Sequence, residues 1–356
     1  FLSFLNSPDM IFQMFPFIFL LTTQLFFIKL FNNNEIEIFK YSGLKNSKIL
    51  TIIGFLSGMA PDLDVFIRSS HDPLLAIEFH RQFTHSLIFI PFGGLICGTF
   101  FYYVLTNRRG MSFKETYLYC TLAYASHGIL DACTSYGTQL FWPFSDFRVA
   151  WNTISIVDPI FTITLFMLVF LSIFKRKMIF ARIAFIWVIT YMSIGLIQHN
   201  RAENIGLLNA KSRDHIPLRI EVKPSLANLL VWKVIYETDE KYYVDAIKVG
   251  FNTKVIEGTS IDKLNVENSF PWLDLNSQQS KDIDRFSWFS GGYLAISKYN
   301  PNRIIDIRYS MLPNEIHGLW GIEIEKNIEK NQHVKYFFNR ENNSEALKEL
   351  WSILIN

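Results

Sequence analysis

Long apolar runs fill most of residues 11–199 and limit what this chain can fold into. The first, IFQMFPFIFLLTTQLFFIKLF at 11–31, is long enough to cross a bilayer, and no small-residue cleavage motif follows it. The sequence therefore predicts an α-helical integral membrane bundle of about six helices. The second run is short and ends at Pro61, so we expect it to be tilted or re-entrant. The later runs lie at 49–60, 86–105, 116–136, 154–174 and 179–198.

The chain changes character after residue 199. Residues 200–224 are polar, carry two prolines, and predict a linker that contains one strand. Beyond them, short β-branched and aromatic runs separated by Asn, Gly, Pro and charged residues predict an antiparallel sheet. Apolar residues at 347, 350, 351 and 354 predict a closing amphipathic helix. We therefore expect a membrane domain over 1–199, a linker over 200–224, and a smaller α+β, β-rich soluble domain over 225–356.

The overall composition argues against several other classes of protein. The net charge is +2, which gives no electrostatic basis for binding nucleic acid. The three cysteines form no CxxC pair, so neither a disulfide framework nor a cysteine-based zinc site is expected. The sequence also lacks a GxSxG nucleophile motif, a phosphate-binding loop and a dinucleotide fingerprint. The lipid bilayer is the partner that composition indicates.

Basic residues between the apolar runs predict the orientation of the chain. The connections after the first, third and fifth runs are basic, whereas those after the second and fourth carry few basic residues. The positive-inside rule then places the first set in the cytoplasm, and the β-rich domain on the outer, periplasmic side. The cytoplasmic residues are Lys40, Lys45, Lys48, Arg108, Arg109, Lys114, Lys175, Arg176 and Lys177, and the outer ones are Arg68, Arg81 and Arg148.

Ionisable side chains cluster where the second to fifth runs end or begin. The second and fourth runs end, and the third and fifth begin, on the same side of the membrane, whichever way the chain is oriented. We therefore expect these side chains to converge on one membrane face. They are Asp62, Asp64, His80, Arg81, His85, His127, Asp131 and Asp158.

Each small group among them also has a simpler explanation. His127 and Asp131 are four residues apart, so on a helix they share one face and could form only a hydrogen-bonded pair. The two aspartates of PDLD could cap the segment that follows the second run. His80 and His85 point about 140° apart on a helix, so a shared ligand requires a non-helical break within 81–84. Together, three imidazoles and three carboxylates match the ligands of zinc, or of manganese or iron.

Motifs in both parts of the chain carry a resemblance to a known family. In the membrane part they are PDLD (61–64), FHRQFTHSLIF (79–89), SHGILDACTSYGTQLFWPFSDFR (126–148) and ISIVDPIFT (154–162). In the soluble part they are KPSLANLLVWKV (223–234), RFSWFSGGYLAI (285–296) and DIRYS (306–310). The chain resembles the YdjM-type membrane-bound metal-dependent hydrolases of bacteria.

The resemblance implies a bacterial inner-membrane protein with metal-dependent hydrolase activity and a divalent metal ion as cofactor. The positions that match the metal motif of the family are Asp62, Asp64, His80, His85, His127 and Asp131. The accompanying motif residues are Arg81, Thr84, Tyr136, Gln139 and Arg148.

We accordingly expect metal-activated water to attack an ester, either a phosphoester or a lipid, at the membrane surface. Asp62 and Asp64 would serve as ligands or as a base, and Arg81 and Arg148 would contact an anionic group of the substrate. The predicted substrate-binding residues are Arg81, Tyr136, Gln139 and Arg148. Two alternatives stay open: a transporter lined by the same residues, and a non-catalytic metal-binding scaffold. A site at one end of the bundle argues against the transporter.

Overall fold

The computed structural model describes residues 43–175, 177–339 and 343–355. The first predicted membrane run, 11–31, lies outside these residues. The described residues divide into two compact units, of which the first contains those up to Val65 together with Phe79–Gly195. The second contains Phe66–Glu78 and Leu196–Asn356. The segment between the PDLD and HRQFTHS motifs therefore folds as part of the C-terminal unit.

The N-terminal region is helical, as predicted. In the described residues, two helices are long and apolar enough to cross a membrane, within Leu87–Arg109 and Ile179–Ser212, while Ile49–Met59 and Pro159–Lys175 are shorter apolar helices. The number of six spanning helices therefore stays a prediction. The helices are α1 (Gly43–Met59), α2 (Leu75–Phe79), α3 (Ile90–Phe101), α4 (Phe113–Cys133), α5 (Pro159–Lys175) and α6 (Met178–Ser212).

Glycines on α3 bring this helix into close contact with α4. A Cβ on Gly93 would lie 2.3 Å from the ring of Tyr124, and a Cβ on Gly98 would lie 3.0 Å from the Cα of Tyr117. Small residues allow membrane helices to pack closely where lipid offers no hydrophobic driving force. The buried side chains of α1, α3 and α4 then form one apolar cluster. This packing fixes α4, which carries two of the predicted metal ligands.

The C-terminal unit is rich in β-sheet, which confirms the prediction for this half of the chain. It contains two antiparallel sheets of four strands each, with the strands in sequence order. The first is formed by β1 (Arg219–Pro224), β2 (Val231–Glu237), β3 (Lys241–Val249) and β4 (Thr253–Asp262). The second is formed by β5 (Leu294–Ile296), β6 (Arg303–Asp306), β7 (Trp320–Glu323) and β8 (Lys335–Phe338). The remaining helices are α7 (Val266–Ser269), α8 (Gln278–Phe289) and α9 (Asn343–Ile355).

The predicted linker over 200–224 differs from the structure. Residues 200–212 continue α6, whereas strand β1, which begins at Arg219, agrees with the one strand expected in this stretch. The reason is a repeat of small buried residues every four positions, Ala202, Gly206 and Ala210. A Cβ on Gly206 would lie 2.7 Å from Val234 of β2, so this face of the helix packs tightly on the sheet. The polar residues of this stretch occupy the other faces of one continuous helix.

Lys233 on β2 is an unusual buried cation in the C-terminal unit. Its Nζ donates hydrogen bonds to the Oγ of Ser310 at 2.7 Å and to the carbonyl of Glu315 at 2.6 Å. Burial disfavours the charged ammonium more than the charges of Asp306 and Glu315 favour it, so the pKa of Lys233 falls to about 7. The folded state therefore releases this proton near neutral pH.

Raising the pH from 7 to 9 is accordingly expected to stabilise the folded protein. The unfolded chain holds the Lys233 proton up to a pH of roughly 10.4, so the unfolded state binds more protons than the folded state in this window. The free energy of unfolding should rise by up to about 1.4 kcal/mol per pH unit. Urea unfolding of the wild type and of Lys233→Met at several pH values measures this slope. Equal slopes for the two proteins would contradict the prediction.

Candidate metal centre

Three short stretches of chain bring the predicted metal ligands together. The first is the 3₁₀ turn Pro61–Phe66, which begins where α1 ends. The second is the last two turns of α4, and the third runs from the end of α2 through the 3₁₀ turn Phe83–His85. In this order they supply Asp62 and Asp64, His127 and Asp131, and His80 and His85.

A break in the helix allows His80 and His85 to approach the same site. Arg81 has a φ of +62°, a left-handed conformation that an L-residue adopts at a cost. Hydrogen bonds hold it there: its backbone amide donates to Oδ2 of Asp64 at 2.9 Å, and its carbonyl accepts from the amide of Gln139 at 2.9 Å. The two imidazole rings then lie 6.1 Å apart between their centres. The non-helical break that their spacing requires is therefore present.

Four buried side chains direct one ligand atom each at a common point. His85 Nε2 lies 3.3 Å from Asp62 Oδ1 and 3.2 Å from Asp131 Oδ2. His127 Nε2 lies 3.1 Å and 3.4 Å from the same two oxygens. A tetrahedron around zinc with bonds of about 2.0–2.1 Å has edges of roughly 3.3–3.4 Å. These four edges therefore match the size of a small divalent cation bound by N and O atoms.

A second group of donors shares Asp62 with the first. It consists of Asp62, Asp64 and His80, whose ligand atoms lie within 4.8 Å of one another. The Nδ1 of His80 is 2.8 Å from Oδ1 of Asp64. The side chain of His80 is 22% exposed, whereas that of Asp64 is fully buried. His80 therefore lies at the edge of the cluster that solvent reaches.

Hydrogen bonds made by Nδ1 orient the imidazoles of His85 and His127. His127 Nδ1 donates to the carbonyl of Gly58 at 2.6 Å. His85 Nδ1 lies 3.2 Å from Oδ2 of Asp64 and 2.9 Å from the hydroxyl of Thr84. Each contact leaves Nε2 directed at the common point, as in metal sites where a carboxylate or carbonyl fixes the tautomer of a ligating histidine. Asp64 therefore contacts the centre through His85 as well as lying beside it.

The carboxylates of the cluster outnumber its arginine. Asp62, Asp64 and Asp131 contribute three negative charges, while Arg81, with its Nε 3.1 Å from Asp131 Oδ2, contributes one positive charge. Two negative charges then remain, which protonated imidazoles offset in the metal-free protein and which a divalent cation would offset when bound to neutral imidazoles. His127 Nε2 and Asp131 Oδ2 are also buried without a hydrogen bond of good geometry. These features fit a divalent metal ion.

The aspartates of the PDLD turn stay ionised at neutral pH. Burial by itself raises the pKa of Asp62, but the adjacent His127 outweighs burial and holds this pKa well below its usual range. Burial also raises the pKa of Asp64, and hydrogen bonds from His80 and His85 lower it by more. Both carboxylates are therefore available as metal ligands without first losing a proton.

Two of the predicted substrate-binding residues, Tyr136 and Arg148, lie beside His80, and two are buried. The ring of Tyr136 lies between the guanidinium groups of Arg81 and Arg148, at 5.0 Å and 5.4 Å, and 5.5 Å from the ring of His80. Arg148 also donates to the carbonyl of His80 at 3.1 Å. Gln139 is 1% exposed and lies deeper. Tyr136 and Arg148 therefore lie at the same edge as His80, whereas Arg81 and Gln139 are buried.

Comparison with known proteins agrees with this arrangement of motifs. Residues 36–202 match the YdjM inner membrane protein family. The resemblance drawn from the motifs is thereby confirmed for this part of the chain, and the match supports an inner-membrane location.

Two relatives match about a third of the chain each. The protein YfhP of Bacillus subtilis (strain 168) is 32% identical over 109 residues, which is 30% of this chain and 32% of YfhP. Inner membrane protein YbcI of Escherichia coli (strain K12) is 31% identical over 113 residues, which is 30% of this chain and 62% of YbcI. The chain thus spans less than two thirds of either relative. No solved structure matches the chain.

Asp158 also belongs to the region that matches the YdjM family, but its carboxylate has a different role. Its Oδ2 accepts a hydrogen bond from the hydroxyl of Tyr191 at 2.7 Å, and its Oδ1 accepts from the amide of Phe161 at 3.1 Å. It therefore caps the first turn of α5, as aspartates often do at helix N-termini. Asp158 belongs to neither donor group that the described residues form.

Within the YdjM-family region, Gly128→Ala is expected to destabilise the protein and weaken metal binding. An added Cβ would lie 2.3 Å from the carbonyl oxygen of His85, so the backbone that carries this ligand must move. Overpacking of this kind costs about 1–3 kcal/mol. Thermal unfolding in detergent and zinc affinity measure both effects. Gly250→Ala is the control, because its Cβ would make an ordinary 3.4 Å contact, and equal behaviour of the two variants would contradict the prediction.

Proposed function

We propose that this protein is a metal-dependent hydrolase that acts on an ester, either a phosphoester or a lipid, at the surface of the inner membrane. The observation that carries the proposal is the cluster of four neighbouring ligand atoms, in a site where three carboxylates lie beside one arginine. The match to an inner membrane family supports the location. We place the C-terminal unit on the periplasmic side, from the distribution of basic residues in the sequence.

Each residue of the cluster has a role in this proposal. Asp62, His85, His127 and Asp131 hold the ion, which is zinc or else manganese or iron. When bound, such an ion lowers the pKa of a coordinated water to about 7. Asp64 either completes a second metal position with His80 or acts as a base beside it.

The substrate would approach from the edge of the cluster where His80 is exposed. Tyr136 and Arg148 lie there and are only partly buried, so we assign to them an anionic group of the substrate. Arg81 neutralises Asp131 and, through its fixed backbone, holds the turn between the two histidines. Gln139 supports this turn through its backbone amide.

A non-catalytic metal scaffold is the second candidate, and a specific observation favours it. Four protein ligands at tetrahedral spacing are typical of structural zinc sites, whereas catalytic sites leave one position open. Transport is less favoured, because Asp62 follows the end of α1 and Asp131 lies in the last turn of α4.

Metal analysis followed by a hydrolysis screen separates these candidates. The purified protein should contain a divalent ion, and its cobalt-substituted form should show a five- or six-coordinate spectrum if water also binds. A screen of phosphoesters and lipid esters should then detect turnover. Turnover that survives the double change His127→Ala and Asp131→Ala would overturn the proposed mechanism. A four-coordinate spectrum without turnover would favour the scaffold.

A further inference from the structure

The segment that joins the two halves of the candidate centre is tied to helix α8 of its own unit. Phe66–Glu78 begins two residues after Asp64 and ends two residues before His80, and it folds with the C-terminal unit. Any movement of this segment is therefore passed along the backbone to both neighbouring ligands. The contacts that fix it decide how well the centre is held.

Arg285 of α8 uses all of its N–H donors on carboxylates. Nε and Nη2 donate to both oxygens of Glu78 at 2.6 Å and 2.8 Å. Nη1 and Nη2 donate to both oxygens of Asp72 at 3.0 Å and 2.8 Å, and Nη1 also donates to Asp282 at 2.9 Å. Two bidentate pairs on one guanidinium give strong, directional attachment. These hydrogen bonds of Arg285, here called the Arg285 fork, therefore fix the segment at its middle, through Asp72, and at α2, through Glu78.

Further bonds hold the rest of this arrangement in place. Asp72 Oδ1 accepts from the amide of Leu74, which orders the start of α2. Asp282 is fully buried and accepts from Nδ1 of His333 at 2.8 Å and from the amide of Val334 at 3.1 Å. Arg285 itself is only partly exposed, at 22% of its side chain, so solvent weakens these pairs less than on an open surface.

We infer that Arg285 is a positioning residue for the candidate metal centre. It fixes Glu78, and with it α2, at the point where the chain enters the strained turn at Arg81 and presents His80 and His85. A left-handed residue persists only where its surroundings hold it. Asp64 and Gln139 do so through its backbone, and the pair with Arg285 holds the chain three residues earlier, at Glu78. The inference rests on the proposed function to the extent that the centre binds a metal.

Two readouts on the intact protein test this inference. Hydrogen exchange of residues 79–86 in the metal-free protein should be faster in Arg285→Gln than in the wild type. The dissociation constant for zinc, measured by chelator competition, should rise by about 10–100-fold, as for other outer-shell partners of metal ligands. Arg285→Lys should not rescue either property, because an ammonium group cannot form two bidentate pairs.

Matched variants make the outcomes distinguishable. Arg303→Gln removes a partly exposed pair with Glu323 in the same unit and should leave both readouts unchanged. Glu78→Gln should reproduce part of the effect of Arg285→Gln, because Arg285 also binds Asp72, and the double variant should lose no more than Arg285→Gln alone. Unchanged zinc affinity in Arg285→Gln and Glu78→Gln would overturn the inference, even if exchange becomes faster. A wild type that binds no metal would instead overturn the proposed function. If hydrogen exchange of residues 79–86 were also the same in Arg285→Gln as in the wild type, the inference that Arg285 positions these residues would be overturned as well.

Discussion

Replacing His127 by alanine is expected to remove the metal ion from the purified protein. His127 is fully buried, its Nδ1 is fixed by Gly58, and its Nε2 is one of four atoms directed at the same point. Alanine leaves this donor group with three ligand atoms in place of four. We expect the zinc affinity to fall by more than the 10–100-fold typical of outer-shell changes. Metal analysis and chelator competition measure the loss.

His71 offers a matched control for this experiment. It is exposed and lies in the segment that folds with the C-terminal unit, outside both donor groups. His71→Ala should therefore bind zinc like the wild type. Asp64→Asn should fall between the two variants if Asp64 mainly orients His85. If His127→Ala bound metal with wild-type affinity, the proposal that this donor group holds the ion would be contradicted.

Replacing Asp306 by alanine is expected to destabilise the protein by about 3–5 kcal/mol, because it leaves a buried charge without its partner. Asp306 is fully buried and accepts hydrogen bonds from the guanidinium of Arg308, from Nη2 at 2.8 Å and from Nε at 3.0 Å and 3.3 Å. Arg308 is mostly buried and also donates to the carbonyl of Phe289 at 3.0 Å. Denaturant unfolding of the intact protein in detergent measures the loss.

Arg303→Gln provides the comparison for Asp306→Ala. Arg303 pairs with Glu323 across neighbouring strands, and its side chain is 38% exposed. Such a pair contributes about 0–1 kcal/mol, so its loss should be small. Similar free energies of unfolding for Arg303→Gln and Asp306→Ala would contradict the prediction that the buried Asp306 pair stabilises the protein more than the exposed Arg303 pair.

The sequence predicts those parts of the structure that depend on periodicity and composition. The helical first half and the β-rich second half follow from apolar runs of different length and residue type. Helix α8 is harder to predict, because polar Gln279 and Asp282 share its buried face with Phe286. Strand β4 is also harder, because most of its side chains are partly or fully exposed and do not alternate clearly.

The candidate ligand set can be proposed from the sequence for a different reason. Charged residues beside apolar runs must be paired or bound, so the motifs themselves point to Asp62, His85, His127 and Asp131. Their supports are not predictable, because they act through the backbone: a carbonyl of Gly58 and the left-handed turn at Arg81 have no signature in composition. The role of Arg285 depends on a contact between residues 207 positions apart in the chain.

That long separation has a consequence for how the protein is made. At about 5–20 residues per second, a ribosome needs roughly 10–40 s between releasing Glu78 and completing Arg285. During this time Asp72 and Glu78 lack their cationic partner, while the flanking helices can already enter the bilayer. In nascent chains stopped before α8, the segment that carries Asp72 and Glu78 should therefore be cleaved by proteases. In the completed chain, the same segment should be protected.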